Sequence, residues 1–299
     1  MQPVPEETIN YKYLAECVIA YIEDIPSGRL CIYKNEALRH NDKPVLFFGN
    51  FETINDHEVC AALMDFVSEY ARAAGIDVII GPVNGSTWED YRLPLSGEHS
   101  MFYGDLVQPL YYKDLLQTAG LEIAHRYFTM ISDTNGLMFP SGDIQAQLKD
   151  GGVIIRTVDI NNYVTEIRKL YPLCIAAFRD NALYSDITED DFLEKYLPLY
   201  GRIHKDFFLV AEQDSQIIAF LFAYPHAKQL IIKTMARHPA HKARGLVDTM
   251  VRTLYKNASL TGFNQVIHAF MHEDNRSYLR SHFYGASPLR EYGLFIKYA

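Results

Sequence analysis

Cysteine is scarce in this chain, and its few copies stand far apart. The 299 residues include Cys17, Cys31, Cys60 and Cys174, with no CxxC pair. A structural zinc site or a dense disulfide framework needs closely spaced cysteines, so neither is predicted. Histidine is more frequent, with 11 copies, but no HExxH or equivalent spacing occurs, and we predict no metal site.

Positive charge and long apolar runs are also in short supply. The chain has 28 Lys and Arg against 37 Asp and Glu, a formal net charge of -9, which disfavours nucleic acid and anionic membranes as partners. The longest purely apolar run, residues 217–224, is far shorter than the ~20 residues that span a bilayer. The first seven residues also lack the basic and apolar segments of a secretion signal. We expect a cytoplasmic protein.

The chain lacks the motif of a nucleophilic hydrolase as well. No Gly-x-Ser-x-Gly elbow occurs, and Cys174 lies in a helical pattern without a recognisable histidine partner motif. Covalent catalysis by a serine or cysteine is therefore not predicted.

What the chain does contain is one order of elements used twice. In the first half, strand 43–49 precedes helix 57–74, whose apolar face is predicted to hold Val59, Leu63, Phe66, Val67 and Tyr70. Gly75 ends that helix, and strand 76–82, helix 110–119 and strand 121–131 follow.

The second half repeats this order after two further helices, predicted at 161–178 and 189–200. Strands 207–212, 217–224 and 230–236 lead to helix 246–261, strand 263–271, helix 275–283 and strand 289–297. The polar, turn-rich segment 132–152 separates the halves, so we predict two domains, 1–140 and 141–299. Because any two α/β segments share some of this order, coincidence is the alternative explanation of the repeat.

A basic turn joins a strand to a helix in the second half. It reads Lys242, Ala243, Arg244, Gly245, Leu246, Val247. Backbone N–H groups at the start of a helix bind anions, and a glycine there lets a phosphate approach the backbone. The turn is predicted to bind a phosphate; a basic turn without a ligand is the alternative.

The second-half order and this turn resemble the GNAT superfamily of acyl-CoA N-acyltransferases. Pro239 and Gly245 match the family's motif, Lys242 stands where Arg or Gln is usual, and Val247 replaces a small residue. Asn275, at the start of a later helix, matches the family's pantetheine-binding Asn. Two turns on stands His282, with Tyr284 close by, where the family has a Tyr that protonates the leaving thiolate.

The resemblance implies an α/β (α+β) fold with two GNAT-like domains, each a mixed, mostly antiparallel sheet flanked by helices. It further implies a degenerate first half, whose turn at residues 51–57 is acidic and lacks glycine. The implied function is transfer of an acyl group, with acetyl-CoA or another acyl-CoA as donor, to the amine of a small molecule. The implied cofactor-binding residues are Met235, Arg237, Lys242, Ala243, Arg244, Gly245, Leu246, Val247 and Asn275, and the implied catalytic residues are Tyr284 and His282.

Two further features bear on this function. The loop after strand 76–82 contains Asn84 and Trp88, with Tyr91 beyond it; we predict that these three bind substrate, and an ordinary surface turn is the alternative. Strand 231–237 carries no carboxylate, so the candidate bases are His238, His268, His272 and Glu273, or a base that acts through water. A catalytically silent ligand-binding protein of the same fold is therefore the alternative function.

Overall fold

The computed structural model describes residues 8–97, 102–135 and 143–299. The elements up to residue 133 are β1 (Leu14–Ile22), β2 (Ile25–His40), β3 (Lys43–Thr53), α1 (His57–Ala73), β4 (Val78–Gly81), β5 (Leu93–Pro94), α2 (Tyr111–Thr118) and β6 (Glu122–Asp133). They are followed by α3 (Asp143–Asp150), β7 (Ile154–Thr157), α4 (Tyr163–Phe178), α5 (Glu189–Tyr196), β8 (Phe208–Gln213), β9 (Gln216–His226), β10 (Gln229–Arg237), α6 (Leu246–Leu260), β11 (Gln265–His272), α7 (Arg276–Phe283) and β12 (Ser287–Tyr298).

The chain forms two compact units that interleave along the sequence. Unit 1 comprises Met1–Tyr127, Ala182–Ser185 and Arg290–Ala299, and unit 2 comprises Phe128–Asn181 and Asp186–Leu289. The predicted domains, by contrast, are two continuous segments divided at residue 140. Most of the last strand belongs to the first unit, which a reading along the chain does not reveal.

In unit 1 the strands run in the order β1, β2, β3, β4, β12. Neighbours are antiparallel except β3 and β4, which are parallel because α1 carries the chain back between them. Asp56 caps α1 by accepting hydrogen bonds from the backbone of Glu58 and Val59. The buried stripe of α1 follows Cys60, Met64, Val67 and Ala71, so Phe66 lies off it and is 40% exposed. The prediction that placed Phe66 on the apolar face is wrong.

Unit 2 repeats this arrangement on its own strands. β7, β8, β9 and β10 pair in antiparallel fashion, and β10 pairs with β11 in parallel through the crossover helix α6. Leu246, Met250 and Leu254 of α6 pack into a core with apolar residues of the sheet. Each unit is thus a mixed, mostly antiparallel sheet flanked by helices, as predicted.

Some elements differ from the sequence-based expectation. β1, β2 and β7 were not predicted, and α3 occupies Asp143–Asp150 in the segment expected to be a loop. The predicted turns at Gly136 and at residues 140–142 lie outside the described residues. The helix expected over 189–200 is α-helical only to Tyr196 and continues as the 3₁₀ helix Leu197–Arg202, where Pro198 stands in the first turn. Thr188 caps that helix, since its side chain accepts a hydrogen bond from the backbone N–H of Asp191.

Candidate functional site

A cavity of about 690 Å³ opens in unit 2 where two neighbouring strands stop pairing. The parallel register of β10 and β11 ends at Ile232 and His268, although both strands continue for several residues. A register shift between Ile232 and Thr234 also bends β10 against β9. Beyond this point Met235, Ala236 and Arg237 line the cavity. The backbone of this part of β10 pairs with β9 only, which leaves the side toward the cavity open to a ligand.

The start of helix α6 lies in the wall of the same cavity. Gly245 is the N-cap, and no side chain caps the helix. Ala243, Arg244, Gly245, Leu246 and Val247 all line the cavity, so the structure places the predicted turn where a ligand can reach it. The first N–H groups of a helix lack intrahelical partners and carry a partial positive charge, which attracts an anion.

Gly245 is needed here for a reason that the sequence did not reveal. Its backbone is left-handed, with φ of 77°, and a Cβ added to it would lie 2.4 Å from Cγ2 of Ile144 on α3. Such a distance is a clash, so only glycine fits against α3 in this conformation. Val247, whose place in the helix was open, lines the cavity and is half-buried. It therefore shapes the site instead of packing beneath the helix.

Arginines supply the positive charge of the cavity wall. Arg237, Arg244, Arg276 and Arg280 line it. Lys242, which was predicted to bind the cofactor, is exposed and is not one of the lining residues. Arg276 and Arg280 were missed because they belong to α7, some thirty residues beyond the turn. The position of Arg276 directly after Asn275 is the signal that could have found it.

Asn275 lines the cavity and is the N-cap residue of α7 by position only. Its side chain makes no capping hydrogen bond to the helix. Helix capping, the common role of Asn at such a place, therefore does not account for its side chain. Its amide group is available to a ligand in the cavity.

The two predicted catalytic residues lie away from the cavity wall. The Tyr284 hydroxyl donates a hydrogen bond of 2.6 Å to Asp248, and Arg280 donates to the same carboxylate. Burial raises the pKa of Tyr284, and the hydrogen bond to Asp248 raises it further. His282 is exposed, with its ring against that of Tyr278. The role of either residue as thiolate acid stays a prediction. For Tyr284, the hydrogen bond of its hydroxyl group to Asp248 disfavours that role.

Asp248 is the carboxylate among the lining residues, and it is already paired. Burial would raise the pKa of its carboxyl group, but hydrogen bonds from Arg280 and Tyr284 outweigh that effect and lower it. A carboxylate with a lowered pKa and two donors is a weak base. Asp248 therefore stabilises the start of α6 and anchors α7 more readily than it removes a proton.

His268, one of the candidate bases, is enclosed in a buried hydrogen-bond chain. Its Nε2 lies 2.6 Å from the hydroxyl of Tyr255, and its Nδ1 lies 2.6 Å from that of Ser281. Burial lowers the pKa of His268 to about 4. His238, His272 and Glu273 are likewise absent from the cavity lining. The structure thus brings the predicted cofactor residues together, except Lys242, but places none of the candidate bases in the wall.

In unit 1 the corresponding pair of strands does not open in the same way. β3 and β4 pair up to Phe47 and Ile80, but the backbone N–H of Val83 then donates to Phe48 at 2.7 Å. The side-chain Oδ1 of Asn84 accepts from the backbone of Asn50 at 2.9 Å, and a Cβ on Gly49 would meet that Oδ1. Asp56 caps the crossover helix with a carboxylate. The opened strand pair and the helix start without a side-chain cap, which line the cavity of unit 2, are therefore both absent at this place.

The three predicted substrate residues divide between two environments in unit 1. Asn84 and Tyr91 line a second cavity of about 350 Å³. The Trp88 indole instead donates to the backbone oxygen of Ser185 at 2.8 Å, and its ring meets that of Tyr184. The Asn84 side chain thus accepts a hydrogen bond from the backbone of Asn50 and also lines the cavity.

Two features are absent from the described part of the chain. No cluster of three or more His, Cys, Asp or Glu side chains there could hold a metal ion. None of its helices has the length and apolarity needed to cross a membrane.

Comparison with known proteins identifies the fold. No protein-family model matches the chain, and no curated protein matches its sequence. Solved structures do match. A GCN5-related N-acetyltransferase from Sphaerobacter thermophilus superposes with a TM-score of 0.56 at 12% identity, over 95% of this chain and 80% of that one.

Two further structures extend this likeness. A tandem GNAT protein from the clavulanic acid biosynthesis pathway gives a TM-score of 0.54 at 11% identity, over 97% of this chain and 85% of that one. A GNAT-family acetyltransferase from Colwellia psychrerythraea gives 0.52 at 10%, over 95% and 86%. At such identities the likeness establishes the fold. The chain has a tandem GNAT fold, which confirms the predicted resemblance and fold class.

Proposed function

We propose that unit 2 binds an acyl-CoA, acetyl-CoA being the expected donor, and transfers the acyl group to the amine of a small molecule. One observation carries the proposal. Three features lie together in the wall of the unit 2 cavity: the start of α6 without a side-chain cap, the part of β10 that no longer pairs with β11, and Asn275, whose side chain makes no capping hydrogen bond. The GNAT fold of the chain and of the acetyltransferases it resembles supports the assignment.

The residues of the wall fit the chemistry of coenzyme A. Its pyrophosphate needs backbone N–H donors and cations, which the start of α6 together with Arg237, Arg244 and Arg276 can provide. The negative charge of Asp248 does not oppose this, because Arg280 neutralises it. Asn275 would hold the pantetheine arm, whose amides match an amide side chain.

Bound acyl-CoA would supply an activated acyl thioester. The part of β10 beyond Ile232 presents backbone groups that do not pair with β11, and N–H donors among them can polarise a carbonyl oxygen. The opened strands also hold the donor and the acceptor in one place, which removes much of the entropic cost of their encounter. This chain's contribution is therefore orientation and polarisation.

We assign no side chain as general base, since Asp248 is paired and the other candidates lie outside the wall. The unprotonated amine is then the reactive form of the acceptor, with water taking the proton. We expect kcat/KM to rise with pH up to the pKa of the acceptor amine, without a second ionisation from the protein. A bell-shaped profile would contradict this assignment.

The binding test uses a matched pair of basic residues in one turn. Arg244 lines the cavity, whereas Lys242, two residues earlier, does not. Titration calorimetry with acetyl-CoA and with coenzyme A should show binding to the native protein. Arg244→Gln should weaken it about tenfold or more, because a charge-assisted contact is lost, and Lys242→Gln should leave it nearly unchanged. Equal effects of the two substitutions would remove the proposed site.

A catalytically silent binding protein is the second candidate function. The observation in its favour is the Tyr284 hydroxyl, which is bonded to Asp248 instead of facing the cavity. Release of free thiol from acetyl-CoA, measured across a panel of amines, separates the two candidates. Thiol release that depends on an amine supports the transferase; binding of acetyl-CoA without amine-dependent release supports the silent protein.

A further inference from the structure

Two cysteines of unit 1 face each other across a pair of strands. Strands β1 and β2 are antiparallel, and from Glu16 to Ala20 their register is regular, with Cys17 directly opposite Cys31. The side chains of directly opposed residues lie next to each other on one face of the sheet. A hairpin turn separates the two cysteines along the chain, so no short sequence motif marks the pair.

The separation of opposed residues suits a disulfide bond. Directly opposed residues of antiparallel strands have Cα atoms about 4.5–5.5 Å apart. A disulfide bond spans Cα separations of about 4.4–6.8 Å. The side chains of Cys17 and Cys31 already share a hydrogen bond. The two sulfur atoms can therefore be joined without a shift in the register of β1 and β2.

The two thiols differ in their access to solvent. Cys17 is exposed and lies on β1, which begins the strand order of the sheet and pairs only with β2 among the described strands. Cys31 is 2% exposed. Burial, with a smaller effect of the hydrogen bond to Cys17, raises the pKa of the Cys31 thiol to about 12. Because the thiolate is the nucleophile, a reagent in solution reacts first with Cys17.

The remaining two cysteines are enclosed. Cys60 lies on α1, in the core that also contains Leu30, the neighbour of Cys31 in β2. Successive side chains of a strand point to opposite faces, so Cys31 lies on the other face of the sheet from this core. Cys174 is buried in α4 of unit 2. Both serve as internal references for a reaction confined to the pair on β1 and β2.

We propose that Cys17 and Cys31 are a redox-active dithiol, which a low-molecular-weight disulfide closes to an intramolecular disulfide bond. The Cys17 thiolate attacks one sulfur of the small disulfide, whose S–S bond breaks and releases a thiolate. The Cys31 sulfur loses its proton to water, attacks the Cys17 sulfur of the mixed disulfide and releases the second thiolate. Two protein thiols are thus oxidised, and the small disulfide is reduced to two thiols, which take up the two protons.

The difference in access sets the rates of the two steps. The first step depends on the concentration of the small disulfide. The second is an internal reaction of a buried thiol with a raised pKa, so it is slower and independent of that concentration. The bond stays reducible, because its Cys17 sulfur lies at the surface. None of these steps involves acyl-CoA binding in unit 2.

The test uses glutathione disulfide as the probe. Native protein is incubated with it under native conditions, quenched with acid and then unfolded in the presence of N-ethylmaleimide, which blocks the remaining thiols. Mass spectrometry of the intact chain should show two maleimide groups and no glutathione, and peptide mapping should find Cys17 bonded to Cys31. Dithiothreitol should restore all four thiols.

Variants separate the two steps. Cys31→Ala should stop at the mixed disulfide of Cys17 with glutathione, and Cys17→Ala should stay unmodified on the same timescale. Cys60→Ala, at another buried cysteine of unit 1, should form the same bond as the native protein. With Ellman's reagent, the native protein should release a second equivalent of thiol in a slow phase that is independent of reagent concentration and absent from Cys31→Ala.

The proposal is overturned if the native protein accumulates the mixed disulfide without closing it, if glutathione disulfide leaves Cys17 unmodified, or if the bond joins Cys17 of two chains. Each of these results is read from the native protein, so the test does not depend on the folding of a variant. No coenzyme A is present, so the outcome is separate from that of the proposed function.

Discussion

His268 should make unit 2 less stable in mild acid. It lies where β10 and β11 stop pairing, with both ring nitrogens bonded to buried hydroxyl groups and no carboxylate among the bonded partners. Burial lowers its pKa from 6.5 to about 4. Between these two pH values the unfolded chain therefore binds a proton at His268 that the folded chain does not bind.

The sign and size follow from linkage. Stability rises with pH wherever the unfolded state binds more protons, so the contribution of His268 is complete above pH 6.5 and is lost as pH falls toward 4. Each pKa unit corresponds to about 1.4 kcal/mol. Between about pH 7.5 and 4.5, protonation linked to His268 should lower the free energy of unfolding by about 2–3 kcal/mol.

Urea unfolding at a series of pH values, followed by circular dichroism, measures this cost. His268→Gln cannot titrate but can still donate and accept hydrogen bonds, so it should be less stable at neutral pH and lose about 2–3 kcal/mol less on acidification. Other acidic and basic groups are common to both proteins and cancel. Parallel pH curves for the two proteins would refute the reasoning.

Three other predictions test the packing of each unit. Cys17 is exposed and the other three cysteines are buried, so Ellman's reagent should find one fast-reacting thiol, which is absent in Cys17→Ser; two or more fast-reacting thiols would contradict the burial of the other cysteines. Gly245→Ala should lose about 1–2 kcal/mol of unfolding free energy because residue 245 has a left-handed backbone, and a further amount because the added Cβ clashes with Ile144. Adding Ile144→Ala should relieve only the clash, so full rescue in urea unfolding would refute the backbone contribution. In the same assay Arg290→Met should lose about 3–5 kcal/mol of unfolding free energy, because Asp105 is left buried without its ion-pair partner. A loss below about 1 kcal/mol would argue against that ion pair.

The long elements could be predicted from sequence because their signals are local. The period of apolar residues marks α1, α4 and α6, and continuous apolar runs mark β9 and β11. The parts that escaped prediction lack such signals. Strand β1 is half exposed, and α3 is a polar helix. The exposure of Phe66 likewise depends on which side of α1 faces the sheet, and tertiary packing decides that side.

The candidate site divides in the same way. The turn from Ala243 to Val247 and the helix start at Asn275 were predicted from short motifs, and the structure places both in one wall. The prediction for Lys242 shows the limit of short motifs, because a charged residue beside a motif need not face the cavity. Tyr284 shows the same limit, since its partner Asp248 comes from another helix.

By itself, the sequence determined most of the helices and strands, the two-fold repeat of their order and the position of the basic turn 242–247, since each depends on residues that are neighbours in the chain. Only the tertiary structure decided which cavity is open. Ile144 contacts Gly245, and Asn84 contacts Asn50, although each pair is far apart in the chain. Arg244 and Arg276 come from distant segments and line one cavity. Close packing decides them, and it depends on shapes and distances that no local pattern specifies.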